Sequence, residues 1–166
     1  MRRRTLLLSG AWAAAAAPAG LAHAEPAAPG QRVAWPDVTL LDGTTFGAAQ
    51  AEGRAVVAVF WSIGCPFCRR HNPHVEKLHR AARAAGRPLT VLGIARDRDA
   101  AAVRAHARER GYTFPITLDA TPLAAALSRR NLIPLTVTVD RRGLLRQVIP
   151  GEMFEEDVME LLGLAA

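Results

Sequence analysis

The sequence predicts an α/β fold in which a central mixed β-sheet carries helices on both of its faces. Three observations support that expectation. Val56 to Trp61 and Leu89 to Ala95 are apolar runs rich in β-branched residues, the pattern of strands buried on both faces. The stretches after each run read as helices with identifiable stops. Thr136 to Asp140 and Leu144 to Ile149 flank the turn Arg141-Arg142-Gly143, as the arms of a hairpin do. Strand, helix, strand, helix, hairpin and helix gives a mixed sheet whose strand-helix-strand part crosses over right-handed.

The chain opens on a targeting segment. Arg2-Arg3-Arg4 precede an apolar, alanine-rich stretch from Leu6 to about Leu21, and Ala22-His23-Ala24 is a small-x-small cleavage site before Glu25. Residues 1–24 therefore read as an export signal, cleaved from the mature chain. The order Arg3-Arg4-Thr5-Leu6-Leu7 is that of a twin-arginine signal, which exports folded proteins in bacteria. The expected location is the periplasm, or the extracytoplasmic side of the membrane if the signal stays attached. A spanning anchor would need about 20 strongly apolar residues, whereas this run is mostly Ala and contains Pro18 and Gly20.

Residues 25–32 are rich in Pro, Ala and Gly and read as a flexible lead-in, with one domain over 33–166. Pro36 to Leu41 and Thr44 to Phe46 read as two short β segments around an Asp42-Gly43 turn. A helix from Pro66 to about Ala85 stops at Gly86. Asp99 is a plausible N-cap for a helix ending at Arg110 and Gly111. Phe114 to Leu118 is a short extended piece, and Thr121-Pro122 starts a short helix through about Arg129. Phe154 to Leu162 closes the chain as a helix with Phe154, Val158, Leu161 and Leu162 on one face.

Cys65 and Cys68, the two cysteines of the chain, lie where the first apolar strand gives way to a helix. A sulfur at a helix N-terminus faces unpaired N–H groups and the positive end of the dipole, so its thiolate is stabilised. The thiolate is both nucleophile and leaving group in disulfide exchange, so the pair suits cycling between dithiol and disulfide. A structural staple is the plainer alternative in an oxidising compartment, but closing a two-residue gap removes little chain entropy.

The formal net charge is +6, and loss of residues 1–24 removes Arg2, Arg3 and Arg4 and no acid, leaving +3. The remaining arginines are spread along predicted helices without interleaved aromatics, which argues against a nucleic-acid partner.

Phe60-Trp61-Ser62-Ile63-Gly64-Cys65-Pro66-Phe67-Cys68, Pro73 in the next helix, and Ile133-Pro134 before a strand ending Asp140-Arg141-Arg142-Gly143 resemble the thioredoxin-like superfamily. The particular likeness is to exported TlpA-type thiol-disulfide oxidoreductases, over about residues 33–165. It implies an N-terminal β extension, a central insertion over Asp99 to Leu118, and no cofactor. It also implies clients bearing disulfides or thiols and a redox partner in the periplasm or on the membrane; a monomer is expected. In that family the proline at Pro134 is cis beside the disulfide, and the backbone at Ile133 pairs with an extended client segment, with Trp61 as a shelf beside the sulfurs and Pro66 and Phe67 between them.

The departures are specific. Where TlpA-type proteins commonly carry a glutamate, three residues after the second cysteine, this chain has His71. Where thioredoxins carry a buried aspartate it has Val59, and Gly64 replaces the usual Trp before the first cysteine. A carboxylate would raise the thiol pKa values, whereas a histidinium at His71 would lower them. Family habit implies a reductase of client disulfides; a charged His71 would instead make a disulfide-forming oxidant.

Two further readings use the same residues. Cys65, Cys68 and His71 could together hold Cu(I) in a metallochaperone, although His74 lies about 13 Å along the helix from Cys65 and cannot share the ion. A peroxiredoxin-like peroxidase would use Ser62 three residues before Cys65, but Ala58 stands where its motif has proline. His74, His79 and His106 are expected on helix surfaces.

Overall fold

The computed structural model describes residues 25–166; the export signal expected over 1–24 lies outside them. In chain order the elements are β1 (Val38–Thr39), β2 (Thr45–Phe46), α1 (Ala48–Ala51), β3 (Ala55–Trp61), α2 (Pro66–Ala84), β4 (Leu89–Ala95) and α3 (Ala100–Arg110). They continue with β5 (Ile116–Thr117), α4 (Ala120–Leu127), β6 (Leu135–Val139), β7 (Leu145–Pro150), α5 (Glu155–Glu160) and a closing 3-10 turn over Leu161–Ala165. Among the described residues no helix is long and apolar enough to cross a membrane.

The main sheet runs β5-β4-β3-β6-β7. β3 pairs parallel with β4 and antiparallel with β6, so the mixed sheet expected from the sequence is present. Every residue of β3 is buried, because side chains of a central strand alternate between two covered faces. Val57, Val59 and Trp61 face a core with Val75 and Leu78 of α2, Val103 of α3 and Val158 of α5. Val56, Ala58 and Phe60 face the other core, with Leu123 and Leu127 of α4. Burying a single Leu or Val in such a core contributes about 1.5–3 kcal/mol.

Register brings the two motif segments together. Trp61 at the end of β3 lies opposite Ala95, and Phe60 lies opposite Leu135, the first residue of β6. The turn that follows Trp61 and the loop that precedes Leu135 therefore meet at one end of the sheet.

The insertion over 99–118 forms α3 and the edge strand β5. Asp99 caps α3 by accepting from the N–H groups of Ala101 and Ala102, and Gly111 ends it in the left-handed region at φ +69°. The N-terminal hairpin docks on that edge, where the Leu41 N–H donates to the Ile116 carbonyl at 2.7 Å.

Two expectations need correction, and one element was not foreseen. Residues 25–32 are not a free lead-in: Ala27 N–H donates to Ala126 O, Gly30 N–H donates to Leu145 O, and Leu145 N–H donates to Gln31 O. The chain also forms α1, a four-residue helix too short for any periodicity to show. Finally, the closing helix begins after Phe154, which stands 78% exposed, while Val158 and Leu161 are buried.

Candidate functional site

β3 delivers the chain to a short turn that is held in shape by Asp97. Its carboxylate accepts from the Ser62 hydroxyl and from the Ile63 N–H, both at 3.1 Å. Cys65 then N-caps α2 in an extended conformation, with Pro66 at the first helical position where a missing N–H costs nothing. The Cys68 N–H donates to Cys65 Sγ at 3.1 Å, so a thiolate on Cys65 has a backbone donor as well as the helix N-terminus. The two cysteines form a disulfide with Cα atoms 5.2 Å apart. Cys65 is half-buried and Cys68 is 1% exposed, so the first sulfur is the accessible one.

The loop before β6 faces this disulfide. The Ile133–Pro134 bond is cis, and the Ile133 carbonyl oxygen lies 3.9 Å from Cys65 Sγ. In the disulfide that sulfur has no proton to give; on reduction the same approach becomes an S–H···O hydrogen bond.

His71 is wholly buried, and there the structure departs from the sequence reading. Its Nδ1 accepts the Met153 N–H at 3.2 Å, so its proton sits on Nε2, which donates to Thr136 Oγ1 at 3.2 Å. Burial, with the nearby His74 adding to it, pushes the imidazole pKa down to about 4. At neutral pH His71 is uncharged, and the expected histidinium beside the sulfurs is not formed. Its side chain instead joins α2 to β6 and to the loop before α5. Because Nδ1 faces an N–H and Nε2 carries the proton, neither nitrogen offers a lone pair to a metal, which takes the third ligand from the Cu(I) reading.

Trp61 is likewise enclosed at 1% exposure, so it cannot present a shelf to a client. His106 lies against its ring at 5.8 Å between centroids and Tyr112 meets it edge-on at 6.0 Å. His106 is thus packed rather than free on the surface, and His79 is buried; His74 is half-buried, 3.4 Å from Glu155. Phe67, between the cysteines, is 54% exposed and its ring carries the Arg70 guanidinium at 5.0 Å. A side chain at Gly64 would meet open space, so no steric demand explains glycine there.

Sequence reasoning missed Asp97, Arg96 and Glu76. Asp97 and Arg96 follow the end of β4, the place where a parallel strand meets the turn of its neighbour, and that position was the available signal. Glu76 falls on the buried stripe of α2 with Cys68, Val75 and Leu78. Its carboxylate accepts from the Thr113 hydroxyl and N–H and from the Phe114 N–H, tying the insertion to α2.

The redoxin family model matches residues 28–162. The chain belongs to the redoxin family. Among relatives of this redoxin, the thiol-disulfide oxidoreductase ResA of Geobacillus kaustophilus is 26% identical over 125 residues, 74% of this chain and 71% of the relative. The thioredoxin-like protein YneN of Bacillus subtilis is 28% identical over 131 residues, 78% of this chain and 76% of the relative. A secreted thiol-disulfide isomerase from Corynebacterium glutamicum superposes with TM-score 0.73 at 26% identity, over 80% of this chain and 84% of that one. A thiol:disulfide interchange protein of the thioredoxin family from Chlorobium tepidum shares the fold with TM-score 0.72 at 23% identity, over 84% and 97%. The redoxin described here is a thioredoxin-like, TlpA-type thiol-disulfide oxidoreductase.

Proposed function

We propose that this redoxin is exported and reduces disulfides in client proteins outside the cytoplasm, with Cys65 as the attacking sulfur and Cys68 as the resolving one. The observation that carries the reading is the asymmetry of the pair: an accessible Sγ at the N-cap of α2, a buried partner, and the Ile133 carbonyl beside the accessible one. The Cys65 thiolate attacks one sulfur of a client disulfide, forming a mixed disulfide and releasing the other client sulfur as a thiolate. Cys68 then gives up its proton and attacks Cys65 Sγ, releasing the second client thiol and closing the Cys65–Cys68 disulfide. Two electrons pass to the client, and a dithiol donor outside this chain must return the pair to its reduced form.

One fact supports the reducing direction. An uncharged His71 adds no positive charge to the thiolate, which was the basis of the oxidant alternative. Export is supported by the arginine-led, alanine-rich start of the chain and by secretion of the Corynebacterium relative.

Trapping tests the assignment. Cys65→Ala should abolish exchange, while Cys68→Ala should accumulate a mixed disulfide with its client, identifiable by mass spectrometry. A Cys68→Ala protein that turns over normally and traps nothing would overturn the roles. A reduction potential near that of thioredoxin, about −270 mV, agrees with the reducing direction, and one near about −120 mV reverses it.

A further inference from the structure

We propose that Arg96 is a positioning residue for client exchange: it holds the loop from Arg130 to Pro134 beside the sulfurs, and so governs the rate with protein disulfides rather than the reactivity of the sulfurs. The proposal rests on the exchange chemistry assigned above to Cys65 and Cys68.

Arg96 is the residue after β4, and its own N–H donates to the Trp61 carbonyl at 2.9 Å, which fixes its base at the end of β3. From there the guanidinium lies over the ring of the fully buried Phe60, 5.3 Å from the centroid. Its two terminal nitrogens then reach two acceptors on the loop, Asn131 Oδ1 at 2.5 Å and the Arg130 carbonyl at 2.9 Å. A planar fork stacked on a fixed ring can satisfy both at once, whereas an ammonium group offers a single point of attachment.

The loop needs such a tie. Its downstream end is secured by backbone: Leu135 is in register with Phe60, and the Pro134 carbonyl accepts the Gly151 N–H at 2.8 Å. At the upstream end the Arg130 N–H donates to Ser128 Oγ at 3.3 Å, a bond within three residues that fixes nothing to the sheet. Arg96 supplies the link between that end and β4. Between the two anchors stand Leu132, 39% exposed, and Ile133, whose carbonyl oxygen lies 3.9 Å from Cys65 Sγ. An extended client segment must pair with this loop while its sulfur meets Cys65. A loop that wanders has to be ordered on each encounter, which weakens binding. A small disulfide needs only the sulfur.

Rates for wild type, Arg96→Met, Arg96→Lys and Asn131→Ala should be compared with insulin and with glutathione disulfide, alongside each protein's reduction potential. Insulin reduction should fall about tenfold in Arg96→Met and about threefold in the other two, through KM more than kcat, with glutathione disulfide rates within about twofold of wild type. The potential should not move. Parallel losses with both substrates, a shifted potential, or Arg96→Lys matching wild type would each overturn the proposal. If Arg96→Met fails to fold, Arg96→Lys and the exposed-loop variant Asn131→Ala decide by the same ratio. A wild type that reduces neither substrate sinks the exchange chemistry and this proposal with it; an active wild type with unaffected variants sinks this proposal alone.

Discussion

The two sides of the Cys65–Cys68 disulfide are held by different kinds of bond. On the helix side the sulfurs are positioned by backbone: Cys65 caps α2, and the Cys68 N–H points at its sulfur. Beneath them the buried His71 fastens α2 to β6 through Thr136 and to the next loop through Met153. On the loop side, Pro134 is tied by its carbonyl to Gly151 and Ile133 packs against both cores, while Arg130 and Asn131 upstream are held by the Arg96 side chain reaching across from β4. The contrast separates two properties. The sulfurs sit on elements packed into the core, whereas client access, on our proposal, follows a surface loop that a single substitution can loosen.

Breaking the helix side at His71 should have the largest effect on stability. His71→Leu leaves the Met153 N–H and the Thr136 hydroxyl unpaired in the core and should cost about 3 kcal/mol at pH 7 in urea unfolding. The imidazole also predicts a pH dependence with a definite sign. Its folded pKa of about 4 lies below the ordinary 6.5, so between those values the unfolded chain takes up a proton that the folded chain refuses. Wild-type stability should therefore fall by about 3 kcal/mol as pH drops from 6.5 toward 4, a decline absent in His71→Leu.

Glu76, in the middle of α2, provides the control. Burial pushes the Glu76 carboxyl upward, but hydrogen bonds from Thr113, Arg80 and Phe114 outweigh it and hold the pKa below the usual carboxylate range. Glu76→Gln should cost about 2 kcal/mol at neutral pH, with the gap closing only in acid below the ordinary carboxylate range, where the wild-type group takes up its proton. Exchange rates should stay at the wild-type value. A changed rate would show that the sulfurs respond to the insertion as well as to their own surroundings.

The smallest effect concerns Phe67, which lies on the helix side yet faces solvent. Phe67→Ser should slow insulin reduction about threefold and leave glutathione disulfide reduction unchanged, if apolar contact with a protein client is its contribution. A melting temperature equal to wild type would accompany it, because the ring covers no core.

How much of this was legible in the sequence follows from the range of each interaction. β3 and β4 announce themselves because runs of seven and five consecutive buried residues leave continuous apolar stretches. α3 shows its ends through Asp99 and Gly111, whose capping bonds lie within four residues of themselves. The sulfur pair and the Ile133–Pro134 step were read from the sequence, the latter through a family resemblance. His71 was singled out, but its charge state was misjudged: the spacing Cys68, His71, Val75, Leu78 places it in the buried stripe of α2, and burial opposes protonation. The Arg96 clamp was out of reach, since it joins residues 34 and 35 positions apart through a side chain whose direction only the packed Phe60 ring determines. The tie of residues 25–32 escaped notice for a similar reason, being made by backbone groups that any residue type could supply.

The central claim is that Cys65 is the accessible, stabilised thiolate and Cys68 its buried partner. Alkylation of the reduced protein with iodoacetamide across a pH series, with peptide mapping to assign the modified sulfur, tests it most directly. Cys65 should be modified first, with a midpoint well below the free-thiol value of about 8.5. Modification of Cys68 first, or of both cysteines together with a midpoint near about 8.5, would contradict the account.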